Sequence, residues 1–108
     1  MKINKTISWI IPCFNEEKVI LETLERIKKV SEKMKKFEWE LILIDDGSSD
    51  NTKKIIKEIH DYPFKLILLS FSRNFGHHPA VKAGIDNCSG SAAIIIDADL
   101  QDPPEIAE

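Results

Sequence analysis

Four short, nearly uninterrupted apolar runs constrain this chain more than any other feature. They are TISWII (Thr6 to Ile11), WELILI (Trp39 to Ile44), KLILLS (Lys65 to Ser70) and AAIIID (Ala92 to Asp97). Each has the length of a strand, and the lack of polar alternation demands cover on both faces. Helical patterns separate them. Ile20, Leu24, Ile27 and Met34 share one face of a segment from Glu16 to about Lys36. Asn15 is placed to cap it, and Glu16 and Glu17 suit the positive end of its dipole. Ile55, Ile56 and Ile59 mark a second helix, capped by Ser49 or Asp50. A third starts at Pro79, with Val81, Ile85 and Cys88 in register and Gly90 to close it. The order β-α-β-α-β-α-β predicts an α/β fold, an open and mostly parallel sheet with helices on both faces.

Composition narrows the function classes. With 108 residues the chain is one domain at most, and 43% hydrophobic against 31% charged residues is ordinary for a globular protein. The net charge is -3, and the basic clusters Lys28-Lys29 and Lys33 to Lys36 sit among glutamates at helical spacing. They read as a solvated helix face, which argues against nucleic acid as a partner. Cys13 and Cys88 lie far apart in no metal-ligand spacing, as expected of small thiols in a reducing compartment. No run approaches the ~18 apolar residues of a membrane span, and Met1 to Lys5 lead into a strand. The expectation is a soluble, cytoplasmic domain.

In an open parallel sheet, ligands bind beyond the carboxyl ends of the strands. The four strands here are followed by PCFNEE, DDGSSD, SFSRNFGHH and DADLQD, so acids, amides, an arginine and histidines gather at one rim. The opposite rim has plain linkers such as SEKMKKFE and HDYPF. The four glycines fit neither G-x-G-x-x-G nor G-x-x-x-x-G-K-[ST], so a bound phosphate needs another neutralising partner. Asp97 and Asp99 offer one. In extended chain both carboxylates point the same way, with Gln101 two residues further on. Two such acids are costly to ionise unless a cation sits between them, and oxygen donors suit Mg²⁺ or Mn²⁺. Taken by themselves, the acids could equally cap a loop. Likewise DDGSSD reads as a turn and helix cap, yet it leaves Asp46 free to accept a ligand's N–H. Arg73 suits either a phosphate or a surface ion pair. His77 and His78 read as capping or loop residues, and Trp9 and Trp39 as core or helix-covering residues.

Together, IPCFNEE, LILIDDGSSD, SRNFG with HHPAVKAGID, and IIIDADLQDPPE resemble a family 2 glycosyltransferase of the GT-A fold. The RNFG loop and DADLQDPPE resemble its polyprenyl-phosphate branch, which includes dolichol-phosphate mannose synthases and undecaprenyl-phosphate glucosyltransferases. The resemblance implies a Rossmann-like sheet forming the N-terminal, nucleotide-binding half of that fold. It implies that Pro12, Phe14, Asn15 and Glu16 line the nucleotide pocket, that Asp46 reads the base, and that Ala98 lies near the ribose. Asp97 and Asp99, helped by Gln101, would hold Mg²⁺ or Mn²⁺ on the donor's diphosphate, with Arg73 as a neighbour. The implied reaction is inverting transfer of a sugar from a UDP- or GDP-sugar to an acceptor such as a polyprenyl phosphate or a glycan. An anionic phosphate needs no strong general base; a hydroxyl needs a carboxylate, expected beyond Glu108.

The helix signalled by Pro103-Pro104 has only Glu105 to Glu108 to build on. The expectation is therefore that residues 1–108 are the nucleotide-sugar-binding half of a larger enzyme, inactive by itself and able to dimerise through its open sheet edge. Membrane segments would lie downstream. A receiver-type phosphoacceptor domain fits poorly, because its acid pair follows the first strand, which here ends in Pro12-Cys13. A non-catalytic binding or assembly module with the same half-fold is the other alternative; metal-dependent nucleotide affinity separates the two.

Overall fold

A computed structural model describes residues 5–98. Four strands, β1 (Lys5–Cys13), β2 (Phe37–Asp45), β3 (Lys65–Ser70) and β4 (Ala92–Ile95), form one sheet in the order β3-β2-β1-β4. All three pairings are parallel. Helices α1 (Ile20–Lys33), α2 (Thr52–Lys57) and α3 (His77–Asn87) make the connections. The expected α/β architecture is present.

Period-2 geometry divides the core into two layers. Trp9, Ile11, Cys13, Leu41 and Leu43 point to one face, where Ile20, Leu24, Ile27 and Val30 of α1 and Ile56 of α2 cover them. Ile10, Ile42 and Ile44 point to the other and meet Ala80 of α3. The central strands are buried from Ser8 to Ile11 and from Trp39 to Asp45; β3 is half-buried along its apolar run, and Ala92, Ala93 and Ile95 of β4 are exposed. Both tryptophans are core, one of the two placements expected for them. Their rings stack at 5.8 Å, and their N–H groups donate to Ser31 Oγ and Met34 O.

Three local expectations need correction. Asn15 does not cap α1: Glu16 to Val19 form a turn, and the helix begins at Ile20. The second helix has Asn51, not Ser49 or Asp50, at its N-cap position and no side-chain cap bond there; Asp50 Oδ1 accepts the Thr52 N–H at 2.9 Å from one residue earlier, while Ser49 pairs with Asn15. The third helix starts at His77, so Pro79 stands inside its first turn, and its buried face is Ala80 and Gly84. Val81 and Cys88 are half-buried and Ile85 is 47% exposed. Size decides this face. A Cβ on Gly84 would lie 2.5 Å from Ile10 Cγ2 and 2.9 Å from Ile44 Cδ1, so only a glycine lets the helix settle on those isoleucines. Nor does Gly90 close the helix; Cys88 ends it in extended conformation. Gly90 instead donates its N–H to Ser8 Oγ at 3.0 Å, where a side chain would collide with β1.

Candidate functional site

The loops after β1 and β2 are a single hydrogen-bonded unit. Asn15, at φ 54, turns its Oδ1 to accept the Ser49 N–H at 2.8 Å and the Asp50 N–H at 3.3 Å. Three backbone N–H groups donate in return: Asn15 to Ser48 Oγ at 2.9 Å, Glu16 to Thr52 Oγ1 at 2.8 Å and Glu17 to Asp50 Oδ2 at 3.2 Å. Burial works to raise the Asp50 carboxyl, but the Thr52 and Glu17 donors hold it below the usual aspartate range.

The loop after β3 is fastened to β2 through two neighbouring residues. Gly47 sits at φ +72, and a Cβ there would lie 2.2 Å from the Arg73 carbonyl carbon. Positive φ and close backbone approach both require glycine at this point. Asp46, 4% exposed, accepts the Phe75 N–H on Oδ1 at 2.7 Å, and on Oδ2 the Gly76 N–H at 3.0 Å and Asn74 Nδ2 at 3.2 Å. A carboxylate has about four acceptor sites, so most of this one is already committed. Asp46, expected to be free to accept a ligand's N–H, also serves as a clamp, because the RNFG loop folds back over the tip of β2.

These loops surround a cleft of about 340 Å³ beyond the carboxyl ends of the strands. Of the candidates named from sequence, Pro12, Phe14, Glu16, Asp46, Asp97 and Ala98 line it. Asn15 is occupied tying loops together, and Arg73 lies over the Phe75 ring at 4.7 Å, outside the lining. Asp99 and Gln101 fall outside the described residues. Ala98 is held in place by its carbonyl, which accepts the Thr23 hydroxyl of α1 at 2.7 Å.

The cleft also contains Cys13, Asn74, Gly76 and His77, which sequence reasoning had not assigned to a site. Asn74 and Gly76 belong to the RNFG motif itself, and that membership was the available signal. Burial, with Asp45 and Glu16 nearby, pushes the Cys13 thiol up, so it is no nucleophile. His77 opens α3 with its Nδ1 3.8 Å from Asp97 Oδ1. Three carboxylates, Glu16, Asp46 and Asp97, thus face one small space with a single imidazole. Among the described residues no three His, Cys, Asp or Glu side chains converge as a metal site, but the hard oxygen donors of this cleft fit a divalent cation.

The sequence profile of glycosyl transferase family 2 matches residues 8–108. The chain belongs to that family. It is 44% identical over 105 residues to an undecaprenyl-phosphate 4-deoxy-4-formamido-L-arabinose transferase of Proteus mirabilis, covering 96% of this chain and 32% of the relative. It is also 44% identical over 100 residues to a bactoprenol glucosyl transferase of Shigella phage SfV, covering 93% and 32%. Among solved structures, a mannosyltransferase from Pyrobaculum calidifontis in complex with GDP-Man and Mn2+ superposes with a TM-score of 0.76 at 26% identity, over 90% of this chain and 28% of that one. The sheet is thus that of GT-A glycosyltransferases, as the resemblance implied. The chain spans about a third of the length of the curated relatives it matches.

Proposed function

We propose that residues 1–108 are the nucleotide-sugar-binding part of an inverting, metal-dependent family 2 glycosyltransferase whose acceptor is a polyprenyl phosphate. The observation that carries this reading is the acid-rich cleft at the strand ends, where Pro12, Phe14, Asp46, Asp97 and Ala98 meet. Phe14, 43% exposed, offers a flat apolar wall for a base, and Asp46 retains acceptor capacity for a ring N–H. Ala98 leaves room for the ribose beside it. The names of the relatives support the lipid-phosphate acceptor.

Asp97, with Asp99 and Gln101, would hold Mg²⁺ or Mn²⁺. Bound there, the cation supplies neutralisation of the negative charge that grows on the leaving diphosphate. The chain's own part is to bind and orient the donor: the cross-linked loops hold the cleft in one shape before ligand arrives. An acceptor phosphate is already anionic, so this mechanism asks for no strong base from the protein. No helix among the described residues is long and apolar enough to cross a membrane. Contact with the lipid is assigned to the remainder of an enzyme of the relatives' length. We also propose that the free edge of β4 in the described sheet permits self-association of the chain.

Calorimetric titration with UDP and with GDP, each with and without Mn²⁺, tests the reading. Metal-dependent binding that prefers one base and is lost in Asp97→Asn supports it. A folded chain that binds neither nucleotide, with or without metal, favours an assembly module instead.

A further inference from the structure

His77 is a cleft residue to which the proposed reaction gives no task. Its imidazole and the Asp97 carboxylate are both accessible, with side chains 54% and 41% exposed, and both belong to the cleft. Their separation, 3.8 Å from Nδ1 to Oδ1, is too long for a hydrogen bond. A divalent ion bonded at about 2.0–2.2 Å to each would span that gap.

The backbones behind the two side chains are anchored independently. Gly76, immediately before His77, gives its N–H to Asp46 Oδ2 at 3.0 Å. The carbonyl of Ala98, immediately after Asp97, accepts the Thr23 hydroxyl at 2.7 Å. The pair is therefore set by two loops tied to different parts of the fold, the preorganisation a metal site requires. His78 does not share this placement: it is exposed and lies outside the cleft lining.

We propose that His77 is a nitrogen ligand of the divalent cation held by Asp97, and that it biases the site towards Mn²⁺ over Mg²⁺. The bias follows from donor chemistry. Mg²⁺ takes oxygen ligands almost exclusively, whereas first-row transition ions accept imidazole. The proposal rests on the reading of Asp97 as a cation ligand given above.

The test is pulsed electron paramagnetic resonance of the chain with Mn²⁺ and UDP, repeated with GDP, together with titrations of Mn²⁺ and Mg²⁺ affinity. The wild type should show nitrogen-14 modulation on the Mn²⁺ signal. His77→Ala should abolish that modulation, weaken Mn²⁺ at least about tenfold and weaken Mg²⁺ less. His78→Ala should change neither. Bound Mn²⁺ without nitrogen modulation, or modulation that survives His77→Ala, overturns the proposal while the cation reading stands, provided Asp97→Asn loses the metal. If Asp97→Asn retains full Mn²⁺ affinity, or no Mn²⁺ binds at all, the cation reading itself fails and takes His77 with it.

Discussion

Helix α3 is pinned at both ends by carboxylates, Glu40 of β2 and Asp46 just beyond its end, and the two ends differ. At the upper end, Asp46 binds the loop that enters the helix through the N–H groups of Phe75 and Gly76. At the lower end, Glu40, 2% exposed, binds the loop that leaves it: Oε1 accepts Ser89 Oγ at 2.8 Å, and Oε2 accepts the Ser89 N–H at 2.7 Å and the Ser8 hydroxyl at 2.5 Å. Both are buried acids satisfied by loop donors. Asp46, however, also forms part of the wall of an open cleft, while Glu40 lies under a closed connection with Gly90 packed on Ser8. The same chemistry makes a cleft wall where the loop leaves space and a structural knot where it does not.

Breaking each clamp separates the two roles. Glu40→Ala should cost the most stability, about 3 kcal/mol in urea unfolding, because the fully buried Ser8 hydroxyl loses its acceptor and the Ser89 loop loses its tether. Asp46→Ala should cost less, about 2 kcal/mol, since its freed donors can reach water in the cleft. Nucleotide affinity should show the reverse order: at least about tenfold weaker for Asp46→Ala, and little changed for Glu40→Ala in conditions where it stays folded.

Acid provides a finer probe of the lower clamp. Burial works to raise the Glu40 carboxyl, but the hydrogen bonds from Ser8 and Ser89, with the Lys65 charge, hold it below the ordinary glutamate range. A lowered folded value means that the unfolded chain binds the proton more readily. The stabilisation is therefore complete above the unfolded glutamate value, about 4.3, and is lost as pH falls through the folded one. Glu40→Gln should flatten that part of the stability profile measured by denaturant titration at stepped pH. The smallest effect is expected from Arg73→Ala, within about 0.5 kcal/mol in stability. Its guanidinium covers Phe75 outside the cleft lining, so nucleotide affinity should also hold.

The sheet was legible because strand interiors depend on local composition: Leu41 to Ile44 can hardly be anything but a buried strand. The site was legible as a set of loops, since strand ends in a parallel sheet share one rim. What each loop residue does there was not. Asn15 sits where a helix cap belongs, yet its partners lie 34 and 35 residues away. Hydropathy put Val81 and Ile85 against the sheet, but the depth available over Ile10 admits only Ala80 and Gly84. His77 looked like a capping or loop residue because nothing local connects it with Asp97, twenty positions on. Long-range packing decided each of these cases, and a single sequence does not display it.

The proposed function requires that the upper end of α3, and not the lower, belong to a nucleotide-sugar site. Nitrogen-15 amide spectra of the chain titrated with UDP and Mg²⁺, and with GDP and Mg²⁺, test it most directly. Shifts are expected at Phe14, Phe75, Gly76 and Ala98 with one of the nucleotides, and none at Ser89 or Gly90. Shifts centred on the Ser89 end, or no response from the cleft residues to either nucleotide, would contradict it.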